Sequence, residues 1–342
     1  MCRSKRLTLI IFVIPTFLAI ISCVKENPID GDTTSYRDGL IAYTAYNDTF
    51  HTDLDIYLVD SYAYNPIPEN VSNSVSIDCY PEWLYDKSAL IYLSRSGNQS
   101  ALFKVDPINL GGYIFFSSAD SIIKISTSPT EAKLAYFKIA AGQQAVTLNI
   151  LNIETLDTVQ LSSLTISGDY QVAWSKDGTK LAVKAGVILV FNTQNNSLLY
   201  SVGFTGEYFA WDESGDKLYV IRSGDLYLAD TLQQQAVLIQ KGLAYPAIST
   251  DRRYLACLSR TDGNALIIVD LGFHDYVTVK YIQVPPLAYG DSRIIDWSPD
   301  SREIAFIDYV DGKWNIFVAD RTGLDPVEQI TDDVTLKNAL CQ

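Results

Sequence analysis

The chain has 342 residues, 48% of them apolar and 12% aromatic, which is enough for a full core and argues against intrinsic disorder. Its 26 basic and 40 acidic residues give a formal net charge of −14, a surface that repels phosphate backbones and makes nucleic acid a poor partner. Two histidines and five widely spaced cysteines argue against a His-based metal centre and a disulfide framework.

Residues 1–22 read as a targeting segment. Arg3, Lys5 and Arg6 precede an apolar stretch from Leu7 to Ile21, broken at Pro15. That stretch is shorter than the roughly 20 residues a spanning helix needs, and the arrangement matches a secretory signal. Ile20, Ile21, Ser22 and Cys23 resemble the lipobox of bacterial lipoproteins. The resemblance implies cleavage before Cys23 and a diacylglycerol on its sulfur; a free Cys23 after ordinary secretion is the alternative. Val24, where many inner-membrane lipoproteins carry Asp, points to the outer membrane, on its periplasmic face or at the cell surface. Residues 23–38 are polar and read as a flexible tether. Loss of the leader would remove three of the 26 basic residues and none of the 40 acidic ones.

From residue 39 to residue 342 the chain repeats. Apolar runs stop at Asp or Asn seven times: DIYLVD at Asp60, ALFKVD at Asp106, TLNILN at Asn152, VILVFN at Asn192, DLYLAD at Asp230, ALIIVD at Asp270 and NIFVAD at Asp320. A period of roughly 40 to 50 residues marks an array of units that cannot bury their apolar faces alone. A second signal is locked to the first. Seven residues beyond Trp83, Thr127, Trp174, Trp211, Ile248 and Trp297 stand Leu90, Leu134, Leu181, Leu218, Leu255 and Ile304, each leading a β-prone run. Polar turn residues such as SKDGTK from Ser175 and SPDSRE from Ser298 fill the gap and read as hairpins. Each unit is thus expected to hold four antiparallel strands, with Trp in the core and the Asp or Asn capping the turn into the fourth strand. The fold class is all-β, a seven-bladed β-propeller.

Closure follows from the ends. The first blade starts at its second strand near Leu40, and the tail from Val334 to Gln342 aligns with the segment leading into Trp83, so the C-terminal strand is expected to complete the N-terminal blade and remove an open edge. Cys79 and Cys341 fall on innermost strands of adjacent blades. A bridge between them is possible, although the alignment staggers them by about three residues, roughly 10 Å along a strand, which weighs against it.

No catalytic constellation stands out. His51 and His274 lie in polar segments, no Gly-x-Ser-x-Gly elbow occurs, and RTDGN from Arg260 and DYVDG from Asp308 read as hairpin loops rather than calcium sites. No catalytic residue, metal or cofactor is assigned. The best candidates for ligand contact lie three residues before the Trp column: Tyr80, Lys124, Gln171, Tyr208, Tyr245 and Ile294, with Arg293 beside the last. Strand alternation would turn them to the face opposite the Trp side chains, around one channel mouth. Tyrosine combines flat contact area with a hydroxyl, which suits a peptide or sugar.

WSPDSREIAF from Trp297 and WSKDGTKLAV from Trp174, each followed by an apolar run ending in Asp or Asn, resemble the TolB-type (WD40-like) propeller repeat. The likeness spans about Leu40 to the end. It departs from the family's namesake, which has six blades and a preceding α/β domain, so that protein's partners do not carry over. Propeller lyases of similar repeat type use a histidine cluster around a divalent metal, which two histidines cannot furnish. The reading is a monomeric, lipid-anchored, non-catalytic ring that binds or scaffolds a protein, peptide or glycan and touches membrane only through its lipid. A propeller-type polysaccharide hydrolase or lyase is the alternative, and a purely structural assembly factor a third reading.

Overall fold

The computed structural model describes residues 39–46, 54–61, 63–143, 145–164, 170–282, 294–311 and 313–332. Strands are the only regular elements among them, and among the described residues no helix is long and apolar enough to cross a membrane. They form repeated antiparallel meanders, numbered here as units 1 to 7 in chain order. Unit 1 holds Leu40–Tyr46, Leu54–Asp60 and the short Glu69–Asn70. Unit 2 runs Ile77–Trp83, Leu90–Ser96, Gln99–Val105 and Gly112–Ser118; unit 3 runs Ser121–Thr127, Lys133–Ile139, Val146–Asn152 and Thr158–Leu164. Unit 4 holds Val172–Trp174, Lys180–Ala185, Val187–Asn192 and Leu198–Val202, and unit 5 holds Tyr208–Trp211, Lys217–Arg222, Asp225–Asp230 and Gln235–Gln240. Leu243–Ile248, Tyr254–Ser259, Ala265–Asp270 and Asp275–Tyr281 make unit 6; Ile295–Trp297, Glu303–Val310, Lys313–Asp320 and Glu328–Gln329 make unit 7. A single parallel bridge, Leu54 to Ile77, links units 1 and 2 into one sheet.

The seven-residue spacing is a register. Trp83 lies opposite Leu90, Thr127 opposite Leu134, Trp174 opposite Leu181, Trp211 opposite Leu218, Ile248 opposite Leu255 and Trp297 opposite Ile304. The intervening hairpin is held by its own side chains. In unit 4, Ser175 Oγ donates to Asp177 Oδ1 at 2.6 Å and accepts from Lys180 N at 2.9 Å, and Gly178 supplies the left-handed residue at φ 71°. The same Ser-x-Asp arrangement recurs at Ser249 and Ser298.

Outside unit 1, the Asp or Asn ending the third strand caps the next turn as expected. Asp230 Oδ1 accepts from Leu232 N at 3.0 Å and Gln233 N at 2.7 Å, and Asp106, Asn152, Asn192, Asp270 and Asp320 accept in the same way. Two backbone donors on one carboxylate favour its charged form, and those of Ile108 and Asn109 lower the pKa of Asp106.

Apolar side chains alternate along each strand and so serve two neighbours. In unit 1, Leu40, Ala42 and Ile56 join the core shared with units 2 and 3, while Ile41, Tyr43 and Val59 join the core shared with units 6 and 7. Further cores join unit 3 to 4, unit 4 to 5 and unit 5 to 6. The tryptophans add a directed link between units. Trp174 Nε1 donates to Ser126 O at 3.3 Å, Trp211 Nε1 to Ala173 O at 2.9 Å and Trp297 Nε1 to Ala247 O at 2.8 Å, each acceptor lying one residue before the equivalent position of the preceding unit. Where Thr127 replaces Trp, its hydroxyl donates to Trp83 O at 2.8 Å. Trp83 Nε1 is buried and finds no acceptor among the described residues.

Cys79 is disulfide-bonded, with a partner outside the described residues, whereas Cys257 is buried and free. Cys79 immediately precedes a bulge that changes the register.

Candidate functional site

Tyr80, Lys124, Tyr208 and Tyr245 lie on the first strands of units 2, 3, 5 and 6, while Gln171 and Ile294 immediately precede the first strands of units 4 and 7. Tyr80, Lys124 and Gln171 are almost closed to solvent, at 9%, 5% and 8% exposure, whereas Tyr208 and Tyr245 stay half-buried. Ile294 is buried, and Arg293 lies outside the described residues. Tyr80 packs into the core shared by units 1 to 3. The side-chain amide of Gln171 donates to Glu207 O, so that it links unit 4 to the segment entering unit 5. Tyr208 and Tyr245 are therefore the members of the set best placed to meet a ligand.

Regular alternation does not carry through these strands. In unit 2, Cys79 pairs with Leu93 and Glu82 with Ile91, so Tyr80 and Pro81 together face Tyr92. Unit 6 repeats this: Ala244 pairs with Leu258 and Ala247 with Ala256, leaving Tyr245 and Pro246 opposite Cys257. Unit 3 breaks between Ile122 and Lys124. Proline cannot donate to a ladder, so a strand accommodates it at a bulge. Both tyrosines adopt left-handed backbone, φ 50° at Tyr80 and 52° at Tyr245, which is uncommon for a bulky residue. The Tyr-Pro pairs at 80–81 and 245–246 were the available sequence signal.

Tyr208 is placed by a different device. Its strand enters through Gly206, where a Cβ would come within 2.0 Å of Ile221 O, and Glu207 N then donates to that same carbonyl at 2.8 Å. Only glycine permits this crossing.

Two guanidiniums, that of buried Arg95 and that of half-buried Arg252 with its Nε closed to solvent, sit beside Tyr80 and Tyr208, and sequence reading missed both. Arg252, in the first hairpin of unit 6, donates to Trp174 O of unit 4 at 3.4 Å and is electrostatically coupled to Tyr208. No carboxylate pairs with it among the described residues. Burial lowers its pKa, which the Tyr208 phenol partly offsets. Arg95 faces Ile77 across unit 2, is 6% exposed, and has its pKa lowered by burial and raised by Tyr80. With Lys124, these place buried positive charge among aromatic hydroxyls in a chain that is otherwise strongly acidic.

A second polar cluster lies between units 1 and 2. Asp55 accepts from Asn70 Nδ2 at 2.6 Å, Ser72 Oγ at 2.9 Å and Ser74 N at 3.2 Å, while Ser74 Oγ donates to Asp78 Oδ2 at 2.8 Å. Both carboxylates are fully buried. Asp78 Oδ1 has no hydrogen-bond partner of normal geometry, although the Ser94 and Ser72 hydroxyls lie near enough to favour its charge. Burial, with the Asp55 charge adding to it, pushes the Asp78 pKa up to about 6.

Among the described residues no group of three or more His, Cys, Asp or Glu side chains is gathered as metal ligands would be. His274 sits on the turn between the third and fourth strands of unit 6; His51 lies outside the described residues.

No protein-family model matches the sequence, and no curated protein matches it. Solved structures do. TolB from Acinetobacter baumannii is 13% identical with a TM-score of 0.52, over 86% of this chain and 64% of that one, so the present chain spans less than two thirds of it. An oligogalacturonate lyase in complex with manganese is 12% identical with a TM-score of 0.61, over 94% of this chain and 98% of that one. The β-propeller domain of the Trilobed protease from Pyrococcus furiosus is 12% identical with a TM-score of 0.56, over 75% and 83% of the two chains. These likenesses and the strand order show a β-propeller fold of the TolB type.

Proposed function

We propose that this chain is a lipid-anchored, non-catalytic propeller that holds a protein, peptide or glycan ligand at the bacterial outer membrane. The observation that carries the reading is the half-buried Tyr208 beside the Arg252 guanidinium, with Tyr245, also half-buried, on the first strand of the following unit. A half-buried cation without a carboxylate partner favours an anionic group, and two phenols favour hydroxyl-rich or planar surfaces. The ligand class that fits both is an acidic peptide or an acidic glycan.

The proposal includes a closed seven-bladed ring, with residues 333–342 completing unit 1. Three observations support it. Unit 1 already packs against unit 7 through Ile41, Tyr43 and Val59. The short fourth strands of units 1 and 7 match bond for bond: Val71 N donates to Ile56 O and Ile330 N to Ile316 O, while Ile56 N donates to Ser72 Oγ and Ile316 N to Thr331 Oγ1. This match supports a first strand following Thr331 as one follows Ser72. Trp83 Nε1 lacks the acceptor that such a strand would provide. Of the cysteines outside the described residues, Cys341 is the one on that strand, and we assign it as the partner of Cys79. A persistent disulfide also fits the oxidising envelope that the leader and Cys23 imply.

The alternative, a polysaccharide lyase or hydrolase, is favoured by one observation, the end-to-end likeness to oligogalacturonate lyase. One experiment separates the two readings. The purified full chain is presented with neutral and acidic oligosaccharides and acidic peptides, alongside a Tyr208→Ala/Tyr245→Ala variant. The proposal predicts retention of an acidic member without cleavage and at least a tenfold loss in the variant at unchanged melting temperature. Cleavage products would establish the enzyme, and undiminished retention by the variant would remove the site.

A further inference from the structure

The two edges of the array differ in a way that the proposed ligand site does not use. The turns joining third to fourth strands lie on one edge, together with the start of each second strand: Leu90 pairs with Val105, Lys217 with Asp230, Tyr254 with Asp270 and Glu303 with Asp320. These turns carry large exposed apolar side chains in six of the units, Leu156 of unit 3 among them at 46% exposure. Ile108 follows Asp106, Leu232 follows Asp230, Phe273 follows Asp270 and Leu324 follows Asp320, with exposures of 40%, 71%, 83% and 86%. In unit 1 the corresponding connection, residues 61–68, carries Tyr64 and Ile67 at 96% and 77% exposure.

The turns are not loose. The Asp carboxylates that accept from Ile108 N, Leu232 N and Phe273 N fix the backbone from which these side chains project. On the opposite edge, the turns joining second to third strands are small or polar, with Gly97, Gly142, Gly186, Gly224 and Gly263 at their tips. Among the described residues the large exposed apolar side chains toward that edge are Val75, Val187, Tyr281 and Tyr309, and Val187 and Tyr309 are the least exposed of the four.

The chain enters on the apolar edge. Leu40 pairs with Asp60, and Gly39 O accepts both Ser61 N and Ser61 Oγ at 2.9 Å, which pins the point of entry beside the turn that carries Tyr64 and Ile67. A tether leading to a lipid therefore leaves from the same edge as the projecting aromatic and aliphatic tips.

We propose that this edge docks on the bilayer surface to which the leading segment ties the chain, the tips entering the headgroup boundary as amphipathic surfaces do. The inference rests on the lipid anchor proposed above. It makes the membrane contact apolar rather than ionic, because a chain with a net charge of −14 gains nothing from anionic headgroups. It also turns the second-to-third-strand edge, and the entry to the first strands, away from the membrane toward soluble ligands.

The test uses the acylated full chain in vesicles of phosphatidylethanolamine with a minor fraction of phosphatidylglycerol, containing brominated acyl chains as quencher. An environment-sensitive fluorophore is attached at Leu232→Cys, Phe273→Cys or, on the opposite edge, Asn98→Cys; the native Cys257 thiol is buried and does not compete. The expected result is at least threefold stronger quenching at 232 and 273 than at 98, unchanged between low and high salt. Equal quenching at the three positions in a chain whose diacylglycerol is verified by mass spectrometry overturns the docking face and leaves the anchor standing. A full chain, expressed in a bacterial host that acylates lipoproteins, on which mass spectrometry finds no acyl group and which does not sediment with vesicles overturns both.

Discussion

Asp78 shows how much a single residue's surroundings decide. In the unfolded chain it is an ordinary carboxylic acid, whereas between units 1 and 2 burial and the nearby Asp55 raise its pKa to about 6. The native state therefore holds a proton that the unfolded state has released, and stability from this group is present below about pH 4 and lost as pH rises through 6. The difference is on the order of 3 kcal/mol. Asp106, Asp120 and Asp177 have lowered values and act in the opposite sense, so the informative quantity is the difference between variants. Urea unfolding of Asp78→Asn from pH 4 to pH 7 should lack the part of the decline that the parent shows; identical slopes would refute the assignment. Trp83 supplies a second residue-scale prediction. If residues 333–342 offer its indole an acceptor, Trp83→Phe costs the same hydrogen bond as Trp297→Phe, about 1 kcal/mol beyond the lost ring volume, and a smaller cost at Trp83 would deny that acceptor. The tryptophans were legible in the sequence because they are rare and evenly spaced. Asp78 and Arg252 were not, since a buried ionisable group is written with the same letter as a solvated one.

At the scale of strands and turns, the strongest sequence signals were those whose chemistry is local. An Asp or Asn after an apolar run caps the following turn through bonds two and three residues ahead, so pattern and structure coincide at every such turn outside unit 1. Replacing Asp230 by Ala should cost about 1 kcal/mol in denaturant unfolding while Asp230→Asn stays close to the parent, because the amide oxygen still accepts from Leu232 N and Gln233 N. Equal losses in the two variants would assign the effect to charge instead of capping. The bulged first strands were less legible. Alternation assumes an unbroken ladder, and the Tyr-Pro pairs that interrupt it at 80–81 and 245–246 re-aim the residues that counting had placed opposite the Trp column. Gly206 is the clearest case of an element fixed by a long-range contact: its need for glycine comes from Ile221, fifteen positions later, and Gly206→Ala should disturb Tyr208 and its strand.

For the whole molecule, array and fold were readable because each unit repeats one register, and the structure fills in how units adhere: shared apolar clusters, indole-to-carbonyl bonds, and cations such as Lys280, which reaches from unit 6 to Asp308 of unit 7 at 2.7 Å. The bulge beside the disulfide-bonded Cys79 was invisible in the sequence. Ligand and partner depend on side chains brought together from distant units, Arg252 with Tyr208 and Trp174 among them, and no local pattern encodes that meeting. The account turns on whether the ring is closed by its own tail. The direct measurement is thermal unfolding of a chain ending at Asp333, compared with a full-length Cys341→Ser chain so that a lost disulfide is not counted. Closure predicts a melting temperature lower by about 10 °C, as expected when a core strand is removed from a domain of this size. Coincident melting curves would contradict it.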